Sequence, residues 1–156
     1  MTEADKVKAL VGYRLEQTDE ALRAAEANLK EGLARSTVNR AYYAMFYAAL
    51  ALLAIEKKET SRHSAVLALF DQLFVKPKFA SKDLSTWFHE AFALRQRSDY
   101  GTEPQPTVER ATTTLANARG FVEQTRALVR ERLDRLGASA SAELKTPPHA
   151  EPLETE

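Results

Sequence analysis

Two long stretches, one at each end of the chain, carry apolar residues at steps of three and four, and no segment alternates with a period of two. Near the start the positions are Val7, Val11, Leu15, Thr18, Leu22, Ala25 and Leu29. Near the end they are Ala111, Leu115, Ala118, Val122, Thr125, Val129, Leu133 and Leu136. At about 100° per residue each set falls on one side of a helix, whereas a strand would split it between two faces. A helix with one apolar face has to bury it against another element. Two such helices bracketing shorter ones predict an all-α fold, an antiparallel up-and-down bundle.

Capping and breaking residues divide the chain into about five helices. The first is expected from about Glu3 to Lys30, ended by Glu31 and Gly32. The second is expected from Ser36, a residue type suited to a helix N-cap, to about Ile55. The third starts at Thr60 and Ser61 and carries Val66, Leu67, Phe70, Leu73 and Phe74 until Pro77, which lacks the amide hydrogen to continue it. The fourth covers about Asp83 to Asp99. Pro104 and Pro106 make a loop of the segment from Gly101, and Thr107 caps a fifth helix that Gly137 is expected to stop after Leu136. Beyond that point Ala, Ser, Pro and Glu dominate, with too few large apolar residues to offset the entropy of ordering. The expected organisation is a helical domain over 1–137 and a disordered tail over 138–156.

Charge and rare residues narrow the function classes. Lys plus Arg and Asp plus Glu both number 22, so the net charge is zero. The tail after Gly137 holds four glutamates against one lysine, which leaves the rest of the chain weakly basic. Bulk attraction to nucleic acid is therefore excluded, and any RNA contact has to be local. With no cysteine, disulfides and thiolate zinc sites are excluded too. His63, His89 and His149 are scattered without ligand-like spacing, so neither a metal nor a cofactor is expected. His63 in a first helical turn and His89 on a polar helix face read as solvent-facing residues. There is no Gly-rich phosphate loop, nucleophile elbow or paired-carboxylate motif. No apolar run is expected to approach the ~20 residues that span a bilayer, and the polar N-terminus lacks a signal peptide's apolar stretch. A cytoplasmic protein without a membrane partner is expected.

Two helices carry unusual polar residues. In the fourth, Leu84, Trp87, Phe88, Ala91, Phe92 and Leu94 form an apolar stripe that continues, at the same spacing, onto Arg95, Ser98 and Asp99. Charges placed toward a core need a partner or a task. An i,i+4 ion pair explains the spacing of Arg95 and Asp99, but not their place on the stripe, and Arg before Asp opposes the helix dipole. In the second helix, Val38, Ala41, Tyr42, Met45, Phe46, Ala49, Leu52 and Leu53 cover a broad apolar side, while the first turns present Asn39, Arg40 and Tyr43 together. Tyr43 and Tyr47 read most simply as core edges with hydroxyls in water.

Three pieces of sequence carry a resemblance: Ser36 to Leu50, with Asn39, Arg40, Tyr42, Tyr43 and Phe46; His63; and Arg95 to Gly101, with Asp99 and Tyr100. Together they resemble the HEPN domain family over about Lys6 to Leu136, and more narrowly its small stand-alone branch. The resemblance implies a helical bundle that forms a homodimer, with polar residues of the second and fourth helices meeting at or beside the seam. It implies a binding cleft of Asn39, Arg40, Tyr43, His63, Arg95 and Asp99. Many such relatives are metal-independent ribonucleases, often toxins. They are commonly encoded beside a minimal nucleotidyltransferase, which acts as antitoxin and can adenylylate a HEPN tyrosine; Tyr100 is the residue to watch here.

The chain departs from the ribonuclease pattern of an arginine followed, after four to six residues, by a histidine. From Arg95 that window holds Tyr100, Gly101 and Thr102; from Arg97 it holds Thr102, Glu103 and Pro104. Cleavage through the 2′-hydroxyl needs a group that exchanges protons near neutral pH, the property of histidine. Three readings follow, in order. The first is a dimeric module of a toxin–antitoxin or defence-type system, binding a nucleotide, RNA or partner and acting with a minimal nucleotidyltransferase. The second is a ribonuclease toxin using Arg95 for phosphate, with Asp99, Tyr100 or His63 as proton carriers. The third is a purely structural dimeric bundle.

Overall fold

The structure is a computed structural model; it describes residues 1–101 and 104–145, and side chains as far as residue 139. Five α-helices follow one another: α1 (Glu3–Lys30), α2 (Ala34–Ile55), α3 (His63–Phe70), α4 (Lys82–Tyr100) and α5 (Val108–Lys145). No strand occurs among the described residues.

Thr2 opens α1 with a reciprocal cap, its hydroxyl accepting the Asp5 amide and its own amide donating to the Asp5 carboxylate, both at 3.1 Å. Val7, Val11, Thr18, Ala21 and Ala25 bury the inward face of this helix. Gly32 then adopts a left-handed φ of 75°, which only glycine reaches without strain, and the chain folds straight back into α2. This tight return moves the start of α2 ahead of Ser36. Leu33 takes the cap position and its carbonyl accepts the Thr37 amide at 2.9 Å, so Ser36 lies within the first turn.

α2 is the central post of the bundle. By length and mean composition its 22 residues could cross a bilayer, although polar residues up to Arg40 confine the unbroken apolar run to 41–55, short of the ~20 residues of a span. Yet 72% of the apolar window is buried inside the bundle, which accounts for the apolar composition. Ala41, Ala44, Ala48, Ala49 and Ala51 have no exposed surface, so α1, α4 and α5 pack closely around it. The main core gathers Met45, Leu52, Leu53, Phe70, Phe74, Leu84, Phe88, Leu115 and Phe121. Phe121 stands 5.1 Å from Phe70 and 5.0 Å from Phe88 between ring centroids, an aromatic knot joining α3, α4 and α5.

Ion pairs set the register of the long outer helices. Arg119 meets Glu26 at 2.7 Å, and seven residues later on α5 Arg126 meets Asp19, seven residues earlier on α1. The two helices are therefore antiparallel. A second small cluster, Val38, Leu94 and Ala111 with Leu29 and Ala34, closes the end where α1 and α4 finish and α2 and α5 begin.

Two further boundaries differ from those expected. α3 begins at His63 rather than at Thr60, and from Asp71 to Val75 it widens into a π-helical turn. There the Lys76 amide reaches back five residues to the Asp71 carbonyl, the last such bond before Pro77. α5 runs through Gly137 to Lys145, because a helical glycine weakens a helix by about 1 kcal/mol but stops it only where the backbone turns left-handed. Gly137 makes no such turn. The helix therefore ends eight residues beyond the expected stop, and 146–156 with His149, the greater part of the expected tail, lie outside the described residues.

Candidate functional site

α4 delivers its anomalous stripe to the edge of the bundle. Ser98 turns inward and is 2% exposed, while Arg95 and Asp99 flank it at the rim, their side chains 19% and 28% exposed. The charges are not sealed in the core, which lowers their desolvation cost and leaves them open to a ligand. Arg95 Nε donates to Asp99 Oδ2 at 2.8 Å, and Asn39 Nδ2 of α2 approaches the same oxygen at 3.4 Å. Arg40 Nε donates to Asn39 Oδ1 at 3.0 Å. A chain of polar contacts thus ties α2 to α4.

The aromatic residues of α2 form the floor. Tyr43 carries both guanidinium groups against its ring, Arg40 at 4.9 Å and Arg95 at 5.3 Å from the centroid. It is not merely a core edge with its hydroxyl in water. Arg95 also lies 5.7 Å from the Tyr42 ring. Such contacts hold a cation through the ring's negative face and leave its remaining N–H groups free. In both arginines only Nε is engaged by a protein acceptor among the described residues. Asn28, Arg35, Ser36, Asn39, Arg40 and Asp99 line an open groove of about 300 Å³ beside them. A larger groove of about 970 Å³, lined by Asp71, Lys76, Lys78, Lys82 and Ser85, lies at the opposite end of α4 and shares none of these residues.

His63 joins the cluster from α3. It is not a solvent-facing helix start: its ring stacks on Phe46 at 4.3 Å and 17°, and its Nδ1 lies 2.7 Å from the Tyr42 hydroxyl. Tyr42 itself is fully buried. Burial pushes the Tyr42 phenol well above its ordinary range, outweighing the opposite pull of Arg95. Burial, and then the nearby Arg95 charge, lowers the His63 pKa. His89, expected to be solvated, is half exposed but pairs with Asp71 at 2.7 Å, away from the site. Tyr100, one residue beyond Asp99, is 74% exposed and belongs to no contact of the cluster.

The family model for the HEPN domain matches residues 11–128. The chain belongs to the HEPN family. A UPF0332 protein of Thermotoga maritima is 33% identical to this HEPN chain over 131 residues, covering 84% of the chain and 97% of that protein. A Methanocaldococcus jannaschii protein named as a candidate toxin is 30% identical over 127 residues, covering 81% of this chain and 91% of that protein. A second candidate toxin of the same organism is 30% identical over 112 residues, with coverage of 72% and 76%.

Within this HEPN domain, α2 and α4 bring Asn39, Arg40, Tyr43, Arg95 and Asp99 together, residues that the resemblance, and no spacing along the chain, placed in one group. The Tyr42–His63 pair went unread. Tyr42 sits on the apolar side of α2, and a buried tyrosine hydroxyl needs a partner. That signal shows that a partner exists without naming it.

Proposed function

We propose that this chain is a toxin-type HEPN module that binds a phosphorylated nucleotide or an RNA end at the Arg40–Tyr43–Arg95 cluster. The observation that carries this reading is the pair of guanidinium groups held against one tyrosine ring, with their Nη groups free of protein acceptors among the described residues. Guanidinium forks suit phosphate oxygens, and an adjacent aromatic face suits a base. The names of the relatives from Methanocaldococcus jannaschii support a toxin-type role. In the same reading the module is a homodimer within a toxin–antitoxin or defence-type system. A minimal nucleotidyltransferase is its partner, and the exposed Tyr100 is the acceptor for adenylylation.

One observation favours the alternative of a metal-independent ribonuclease. His63 lies against the same two tyrosine rings as Arg95, so an imidazole enters the cluster although none follows Arg95 in sequence.

The deciding experiment combines fluorescence anisotropy of a labelled, 5′-phosphorylated single-stranded RNA with gel analysis of a mixed RNA pool. Binding weakened at least tenfold in Arg95→Ala, with the pool intact, supports the binding module. Cleavage that disappears in Arg95→Ala establishes the ribonuclease instead. Neither binding nor cleavage leaves a structural bundle. Light scattering checks the dimer, and an added AMP mass on Tyr100 after co-expression with a nucleotidyltransferase checks the partnership.

A further inference from the structure

Buried Tyr42 and partly exposed His63 form a pair whose chemistry is decided by which partner holds the proton. The Tyr42 side chain has no exposed surface, and its hydroxyl has one partner among the described residues, Nδ1 of His63 at 2.7 Å. A phenol that stays neutral has one proton to donate, and the acceptor is the lone pair on Nδ1. Neutral imidazole carries its proton on one nitrogen at a time, so that of His63 resides on Nε2. Protonating both nitrogens would place a cation against Phe46 and Tyr42 and near Arg95, an arrangement that burial and like charge oppose. Among the described residues Nε2 has no hydrogen-bond partner, and it is not sealed from solvent. Arg95 and His63 both lie within 6 Å of the Tyr42 and Tyr43 ring centroids.

We infer that His63 is a neutral hydrogen-bond donor of the Arg95 site, its Nε2–H holding a phosphate oxygen of the bound nucleotide or RNA end, and that Tyr42 is the positioning residue that fixes this tautomer. The inference rests on the phosphate-binding reading above and adds a role that reading does not contain. It also explains how an imidazole can sit beside Arg95 without making a nuclease. A base needs a free lone pair, and the Tyr42 hydroxyl occupies the one that His63 has. Relaying a proton through the ring would leave a buried phenolate, which burial disfavours.

Two measurements on the full chain test this. Long-range proton–nitrogen NMR of His63 should show Nε2 protonated and Nδ1 unprotonated at neutral pH, and Tyr42→Phe should lose that preference. Nδ1 protonation in the unmodified chain overturns the assignment. In anisotropy with the labelled 5′-phosphorylated RNA, His63→Phe keeps the stacked ring but removes the donor. It should weaken binding roughly tenfold, the worth of one hydrogen bond to a charged group. His63→Gln, which offers an N–H near the Nε2 position, should recover most of that loss. Competition by AMP with equal force against wild type and His63→Phe would place the contact on the RNA rather than on the mononucleotide phosphate. Unchanged binding in His63→Phe, while Arg95→Ala loses it, overturns the donor role and leaves the binding module standing. No binding by the unmodified chain overturns both, with the NMR result still deciding the tautomer. RNA cleavage that His63→Phe abolishes would show that His63 moves protons, and would overturn the inference from the other side.

Discussion

Asp99→Asn separates an arginine that awaits a phosphate from one that merely completes an ion pair. Asp99 Oδ2 accepts from Arg95 Nε at 2.8 Å, and the amide oxygen of asparagine can keep that bond while removing the charge. A phosphate on the free Nη groups would share the guanidinium with the carboxylate. Two negative charges roughly 6 Å apart at an effective dielectric of about 40 repel by about 1.4 kcal/mol. Exposure of Arg95 and Asp99 to solvent, 19% and 28%, reduces this through screening to about 1 kcal/mol. Asp99→Asn should therefore tighten binding of the 5′-phosphorylated RNA about fivefold, and added salt should narrow the gap. Stability should hardly move. Losing an i,i+4 pair costs about 0.2–0.5 kcal/mol, and removing a carboxylate from the C-terminal turn of α4 returns about 0.3–1 kcal/mol. Anisotropy and urea denaturation of the same preparation measure both quantities. Binding that is equal or weaker in Asp99→Asn, with stability intact, would refute the view that Arg95 takes the phosphate through its free groups.

Other expectations follow from single contacts. Tyr42→Phe keeps the buried ring but strands His63 Nδ1, and should cost about 1–2 kcal/mol in urea denaturation at neutral pH; a loss below about 0.5 kcal/mol would mean the bond is not made. Burial and Arg95 lower the folded pKa of His63, so between the ordinary value of about 6.5 and that lower value the unfolded chain binds more protons, and stability falls as pH drops through the window. The urea midpoint should show this slope in the wild type and a flatter one in His63→Phe. A Cβ at Gly120 would stand 3.1 and 3.3 Å from two Trp87 ring atoms, and the half-buried ring can yield. Gly120→Ala should thus stay within about 0.5 kcal/mol of wild type as helix propensity offsets the contact, while Gly120→Val should cost more than about 1 kcal/mol by thermal denaturation.

The stripes of Val7 to Leu29 and Ala111 to Leu136 announced the outer helices, because a helix writes its buried face into the sequence every three or four residues. Arg95 and Asp99 were legible for the same reason: they interrupt a pattern that is otherwise apolar. Where a cue depends on how the chain turns in space, the sequence was a poorer guide. Ser36 looks like a cap, but the left-handed Gly32 starts the helix at Ala34. Gly137 looks like a stop, yet nothing folds the backbone away from α5 there.

Local periodicity alone, then, determined that the chain is helical, which faces of its helices are buried, and that α2 and α4 each carry polar residues out of place. Only the tertiary structure decided what those residues meet. Tyr42 and His63 are 21 residues apart on different helices, and no periodic pattern links positions whose neighbourhood is made by packing rather than by chain geometry. The same holds for Arg95, drawn as a charge at the end of one helix and found against two aromatic rings of another. A side chain's face is a property of its own helix; its partner is a property of the bundle.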